Sequence, residues 1–207
     1  MKLLVTLAVL AVFGVLAYWF SGDQVTRRAL QKVPRKRIGD LRDGEEARVI
    51  GLVGVEAPIH APISGRRCAY YRVVVEEQYE TNGRRSWRDV LDEQDGVDFL
   101  VKDETGEALV KTTRVEAVLE KDRSKSSGFL RDATPELEAF LRKHGRSSEG
   151  LVFNRTLRYR EGVVEAGERV AVAGLVRRKT PEARPVLAAP PNGSVLISDE
   201  TDLTSAS

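Results

Sequence analysis

The sequence predicts a mainly β fold: an antiparallel, partly closed OB-like barrel with one inserted helix, preceded by a single N-terminal transmembrane helix. Three observations predict it. Residues 3–20 form a run of 18 residues without a charge, almost all apolar. From residue 47 to 198, short segments rich in Val, Ile, Leu and Tyr alternate with turns that carry Gly, Pro, Asn or Asp. One segment, 134–145, has helical spacing between a cap and a stop signal.

The apolar run comes first. As a helix rising about 1.5 Å per residue it would span roughly 27 Å, close to a bilayer core. A soluble helix would carry a polar face, and this run has none. The competing reading is a cleaved leader, with Val15 and Ala17 at the −3 and −1 positions. The run is longer than a usual leader core. Tyr18, Trp19 and Phe20 close it, where aromatic rings favour the headgroup layer. Residues 1–22 are therefore expected to be an uncleaved anchor.

Residues 23–40 read as a basic juxtamembrane linker, interrupted at Pro34. Arg27, Arg28, Lys32, Arg35, Lys36 and Arg37 stand there with no acid between Asp23 and Asp40. They are the candidate lipid-contact residues, each worth about 1 kcal/mol near anionic headgroups. The same charges place the main body on the cytoplasmic side of a single-pass membrane protein.

Residues 41–203 are expected to form one β domain with a loop-and-helix insert at 121–150, leaving 204–207 as a tail. Strands are expected at 47–55, 68–79, 84–91, 97–102 and 107–112, as an antiparallel meander. Asn82-Gly83 should close a hairpin, and Asp95-Gly96 and Thr105-Gly106 should form two further turns. The 57–65 segment, with two Ala-Pro pairs and a Ser-Gly, reads as a loop. Residues 121–128 read as loose. Thr134 and Pro135 open a helix whose Leu137, Phe140 and Leu141 make one apolar face, and Gly145 ends it. Strands return at 151–159, 169–176 and 195–198. Central roles are expected for 68–75, where Val74→Asp should unfold the domain, and for 170–175. Residues 43–53 also resemble residues 166–176, each a Gly-Glu turn feeding a strand with an internal glycine. Two equivalent strands of a small closed barrel would look like this.

Composition excludes several functions. Lys and Arg total 33 against 31 Asp and Glu, and without the basic stretch the body is slightly acidic. A nucleic-acid surface would need a basic face, so no nucleic-acid partner is expected. Cys68 is the only cysteine, and His60 and His144 are the only histidines, so neither an intrachain disulfide nor a zinc finger with four Cys or His ligands can form. Asp89, Asp92, Glu93, Asp95 and Asp98 cluster without the spacing of a calcium loop. No metal and no cofactor is implied.

Cys68 with His60 is the one conceivable nucleophile and base. The opposing reading makes Cys68 a small apolar residue at the start of a buried strand. Pro58, Ile59, Pro62, Ile63 and Gly65 are the candidate binding residues, because two prolines preform the loop and lower its ordering cost. The opposing reading is a rigid barrel-closing loop. Tyr70, Tyr71, Tyr79 and Trp87 suit either a stacking face or a core.

The run Ala61-Pro62-Ile63-Ser64-Gly65-Arg66-Arg67-Cys68-Ala69-Tyr70-Tyr71 resembles the opening of the GIDE domain, also called BAM for "beside a membrane". Later segments follow in the family's order: Trp87; Phe99, Asp103 and Gly106; Asn154-Arg155-Thr156; Gly167 and Gly174; then Pro190-Pro191-Asn192-Gly193 before Leu196-Ile197-Ser198. The domain is best known from mitochondrial membrane-anchored RING ubiquitin ligases of the MULAN type, and it has prokaryotic members. The resemblance implies a barrel-like module at a membrane surface that binds a protein or lipid partner. In those ligases the activity resides in a RING that follows a second transmembrane helix. Neither is found in this sequence, so a label of RING-type ubiquitin ligase would rest on domain homology alone. The family's domain lies outside the cytosol in mitochondria, opposite to the side the flanking charges imply.

Overall fold

The computed structural model describes residues 22–120, 123–126, 135–145 and 157–205, with backbone alone for 123–126. Its helices are α1 (Gly22–Lys32), α2 (Pro135–Lys143) and the single-turn α3 (Thr201–Thr204). Its strands are β1 (Glu46–Gly54), β2 (Ile59–His60), β3 (Arg67–Cys68), β4 (Tyr70–Thr81), β5 (Arg84–Gly96), β6 (Phe99–Asp103), β7 (Gly106–Val110), β8 (Val115–Val118), β9 (Arg123–Ser126), β10 (Leu157–Val164), β11 (Arg169–Arg177), β12 (Val186–Ala188) and β13 (Val195–Ser198). Among the described residues no helix is long and apolar enough to cross a membrane. The anchor expected at 1–22 lies, but for Gly22, outside the described residues.

Strands β1, β6, β7, β12 and β11 form a barrel that the antiparallel β1–β11 ladder closes fully. Strand β13 extends from β11, and β8 pairs with β13. Most pairings are antiparallel, as expected, with β7–β12 and β8–β13 parallel; the expectation of a partly closed barrel is corrected, because the β1–β11 ladder closes it.

The closing ladder explains the internal repeat. Aligning 43–53 with 166–176 makes Val49 equivalent to Val172, and these two face each other across the ladder. A local two-fold axis therefore passes through that pair. The flanking bonds obey it. Gly44 N–H donates to the Val176 carbonyl at 2.9 Å, and Gly167 N–H donates to the Val53 carbonyl at 2.8 Å. Both glycines hold positive φ, 80° and 85°, which few other residues tolerate. The internal glycines are also equivalent. A Cβ on Gly51 would lie 2.4 Å from the Lys102 carbonyl oxygen, and one on Gly174 would lie 2.9 Å from that of Ala188. Each glycine lets a neighbouring strand cross closely enough to bend the sheet shut.

Three cores result. Val49, Phe99, Val101, Val110, Val172 and Leu187 fill the barrel, and Ile38 and Leu41 join them. A second sheet, in the order β5-β4-β10-β9, packs Tyr71, Val73, Val75 and Tyr159 against Leu137, Phe140 and Leu141 of α2. A smaller cluster seats Leu30 of α1 and Leu203 of α3 on Ile50, Ala171 and Ala173 of the barrel's outer face.

The expected meander is split between the sheets. Strand β5 runs through Asp95 to Gly96, which pairs with Tyr70, so this dipeptide is not a turn. A Cβ on Gly96 would fall 2.4 Å from Tyr70 Cδ2, so close packing is the glycine's role. Asn82 and Gly83 do close the β4–β5 hairpin, with φ of 52° and 72°. Residues 123–126, read as loose, pair with β10. Of the segment expected to be a strand at 151–159, only 157–159 lie within the described residues.

The stretch read as a linker is built into the fold. Thr26 and Leu30 of α1 are buried. Lys36 N–H donates to the Arg48 carbonyl, and Arg48 N–H to that of Pro34, each at 2.9 Å. Asp103 accepts the Ile38 N–H at 2.8 Å, and Thr105 Oγ1 accepts that of Gly39 at 2.8 Å.

Candidate functional site

Cys68 is fully buried, and burial first, then Glu161 and Glu165, pushes its thiol up to about 11. His60 is exposed. In the β2–β3 pair Cys68 opposes Ile59 while His60 opposes Arg67. Alternation along each strand therefore turns His60 and Cys68 to opposite faces. The geometry turns His60 away from the thiol, and the thiol stays protonated at neutral pH, so Cys68 packs as a core residue.

The 57–65 loop turns its apolar residues inward. Ile63 is buried and Ile59 packs on the second core, with Pro58 and Pro62 half-buried and Gly65 exposed at φ 69°. Glu161, only 2% exposed, fastens the loop by accepting the N–H groups of Ile63 and Ser64, each at 3.0 Å. Arg66 pairs with Glu165 beside it. The isoleucines are used up within the domain. The sequence offered no sign that a carboxylate nearly a hundred positions away holds this loop.

The six basic candidates divide. Arg27 pairs with Glu200 at 2.5 Å and Asp202 at 3.4 Å, Lys36 with Glu45 at 2.5 Å, and Arg37 with Asp40 at 2.9 Å. Lys32 and Arg35 are exposed and Arg28 is half-buried.

The aromatic candidates divide as well. Tyr70 lies in the barrel core, Tyr71 in the second core, and Tyr79 is exposed. Trp87 lies under the Arg158 guanidinium, 4.3 Å from its ring centre. The acidic cluster is drawn into pairs: Asp92 with Arg72 at 2.8 Å, Asp98 with Lys111 at 2.5 Å, and Glu93 with the Tyr71 hydroxyl at 2.7 Å and with His144.

Among the described residues a groove of about 600 Å³ lies between the first turn of α1 and the outer face of the second sheet. Asp23, Arg27, Arg72, Val74, Asp89, Arg160 and Glu200 line it. Arg72 binds Asp92 through Nε and Nη2, and Asp23 through Nη1 at 3.1 Å. Asp92 foremost, and Asp23 after it, raise its affinity for the proton further, against burial. Arg160 pairs with the buried Glu76 at 3.1 Å. Burial pushes the Glu200 carboxyl above the usual carboxylate range although Arg27 opposes it. Three guanidinium groups and three carboxylates thus share one concavity, which fits a ligand segment carrying both signs. Val74, expected from the sequence to be a core residue, is buried at 8% exposure, yet it borders this groove and belongs to none of the three clusters. Of the groove's charges only Arg27 and Asp89 stood among the residues singled out in the sequence. Arg72 and Arg160 are the polar positions of alternating strands, a pattern that marks a solvent face without saying what meets it.

Comparison with family models, with curated proteins and with solved structures finds no match.

Proposed function

We propose that this chain is a membrane-tethered, non-catalytic binding module of the GIDE/BAM type that engages a protein partner at the membrane surface. One observation supports it above the others. Helix α1 begins at Gly22, two positions after the apolar run ends at Phe20, and is fastened to the body by Asp23–Arg72 and Arg27–Glu200. A body joined in this way to a membrane anchor would be held close to the bilayer, with the groove at the anchored end. The mixed charge of the groove favours a polypeptide segment over a uniformly anionic surface. The buried, protonated Cys68 argues against the alternative of a thiol enzyme. Ligase activity is not part of this reading.

The flanking charges favour a cytoplasmic body. Reporter fusions at both ends and protease protection in sealed vesicles test the tether and its side. The expected outcome is a membrane-bound chain whose body is reached only from the cytoplasmic face. Recovery of the chain as a soluble product without its first twenty residues would refute the tether. Crosslinking from position 89 or 160 then tests the groove: one protein captured at both positions, and lost with Arg160→Glu, is the expected result.

A further inference from the structure

We propose that Arg48 and Arg35 form an oxyanion site on the outer face of the barrel, taking a phosphate group. The observation is a half-buried guanidinium whose Nε is cut off from water and from any acceptor. Eight described arginines are half-buried: Arg27, Arg28, Arg48, Arg66, Arg72, Arg158, Arg160 and Arg178. Five of these pair with carboxylates, and Arg178 donates to the Ala183 and Leu41 carbonyls. Arg28 has a partner as well. Arg27, Arg48 and Arg160 each bury an Nε without an acceptor, but Arg27 and Arg160 reach carboxylates, and of the eight Arg48 alone has neither carboxylate nor carbonyl. A guanidinium N–H withdrawn from water without an acceptor loses solvation, so folds pair such groups or satisfy them with a ligand.

The neighbourhood adds charge of the same sign. The β-bridge between Arg35 and Arg48 sets the two residues side by side, and Arg35 is exposed and makes no ion pair. Burial first, and Arg35 second, weakens the hold of Arg48 on its proton. Glu46 shares the outer face of β1 two positions earlier, yet pairs with neither arginine. Lys32, exposed at the end of α1, is another cation close by in sequence. Two adjacent guanidinium forks with no carboxylate between them match the tetrahedral oxygens of a phosphate. A carboxylate fits them less well, because it offers two oxygens to two forks.

The phosphate could belong to a lipid headgroup or to a soluble ester. The headgroup source rests on the tethered reading above; the site itself does not. The test uses the full chain in neutral detergent. Inorganic phosphate should raise the melting temperature and shift the Arg48 Nε–H resonance, relative to chloride at equal ionic strength. Arg48→Met should weaken phosphate binding at least about tenfold. In chloride it should leave the melting temperature unchanged or higher, since it removes a partly desolvated charge and orphans no partner. Arg35→Gln, at an exposed position, should weaken binding with the fold intact, and Arg37→Gln should change nothing. Vesicles of phosphatidylglycerol in phosphatidylcholine, against phosphatidylcholine alone, separate the sources. A shift of the Arg48 resonance with the anionic vesicles assigns a headgroup, and a shift with phosphate alone assigns a soluble ester. No shift with either probe overturns the site, as does an Arg48→Met variant that binds phosphate like the parent. Failure of the tether shows separately, as a chain that does not float with vesicles while phosphate still binds.

Discussion

The barrel and the second sheet solve burial in opposite ways. The barrel core is almost wholly aliphatic, and its closure depends on two glycines related by a local two-fold axis. The second sheet buries three carboxylates, Glu76, Glu77 and Glu161, at 5%, 2% and 2% exposure. Arg158 and Arg160 hold Glu76, Arg88 holds Glu77, and backbone N–H groups hold Glu161. Symmetric aliphatic packing makes a rigid frame and is indifferent to what it carries. Buried charges cost desolvation and are tolerated only where fixed partners compensate them. The difference places fixed, paired charge in the sheet and aliphatic rigidity in the barrel.

The sharpest way to break that contrast is at the barrel closure. Gly51→Val should cost about 3 kcal/mol or more, because its side chain would meet the Lys102 carbonyl of the crossing strand. Gly54→Ala, whose new Cβ would have only an ordinary 3.6 Å contact, should stay within about 0.5 kcal/mol. Denaturant melts of the two variants compare them. Equal losses would mean that close strand crossing does not govern closure.

In the second sheet, Glu161→Ala should cost about 2–3 kcal/mol by stranding the Ile63 and Ser64 N–H groups. Amide exchange at those two residues should accelerate first, well before the barrel amides. Glu161→Gln keeps one acceptor oxygen and should recover part of the loss. A uniform rise in exchange across both sheets would show that the frame and the sheet are not separable.

These two sites also mark what could be read in the sequence. The equivalence of the two closing strands was legible because local chemistry repeats: Gly-Glu turns, internal glycines and β-branched runs occur twice at the same spacing, although full closure was not expected. The hairpin at Asn82-Gly83 and the apolar face of α2 were legible for the same reason, since each is a short-range pattern. The Glu161 clamp, the groove and Arg48 were not. Each depends on residues brought together from distant segments, and a polar strand position looks the same whether it faces water, a clamp or a ligand. The 23–40 stretch misled for a related reason. Its charges suggested solvent, while Thr26, Leu30 and Ile38, too few to show a pattern, bury it.

Val74→Asp probes the same limit. Apolar neighbours in sequence suggested a core position, where a charge would unfold the domain. The residue is buried, but its side chain borders the groove lined by Arg72 and Arg160, where an added carboxylate would meet cations. The variant should keep a cooperative melt and lose about 1–2 kcal/mol, mostly the valine's own burial. Loss of the cooperative transition would return Val74 to the core.

The smallest effect expected is acid sensitivity at the strap that joins residues 36–41 to the barrel. Asp103 accepts N–H groups from Ile38, Thr105 and Gly106, at 2.8, 2.7 and 3.1 Å. Burial raises its carboxyl, but the Thr105 hydroxyl and these N–H donors outweigh that and hold it below its ordinary value. A depressed carboxylate contributes its full stability above the unfolded value. That contribution is lost as the pH falls through the folded value. Glu93 in the second sheet has the same sign, with burial outweighed by Tyr71, Lys143 and His144. Glu200 has the opposite sign: its raised carboxyl makes folding easier as the pH falls through its folded value. Acid should therefore loosen the strap and the end of α2 while leaving α1 docked. Asp103→Asn should cost about 1 kcal/mol at neutral pH and flatten the acid limb of the melt. Amide exchange of Ile38 and Gly39, followed below the ordinary carboxylate range, separates the cases. Earlier opening at α1 than at Ile38 would reverse the assigned signs.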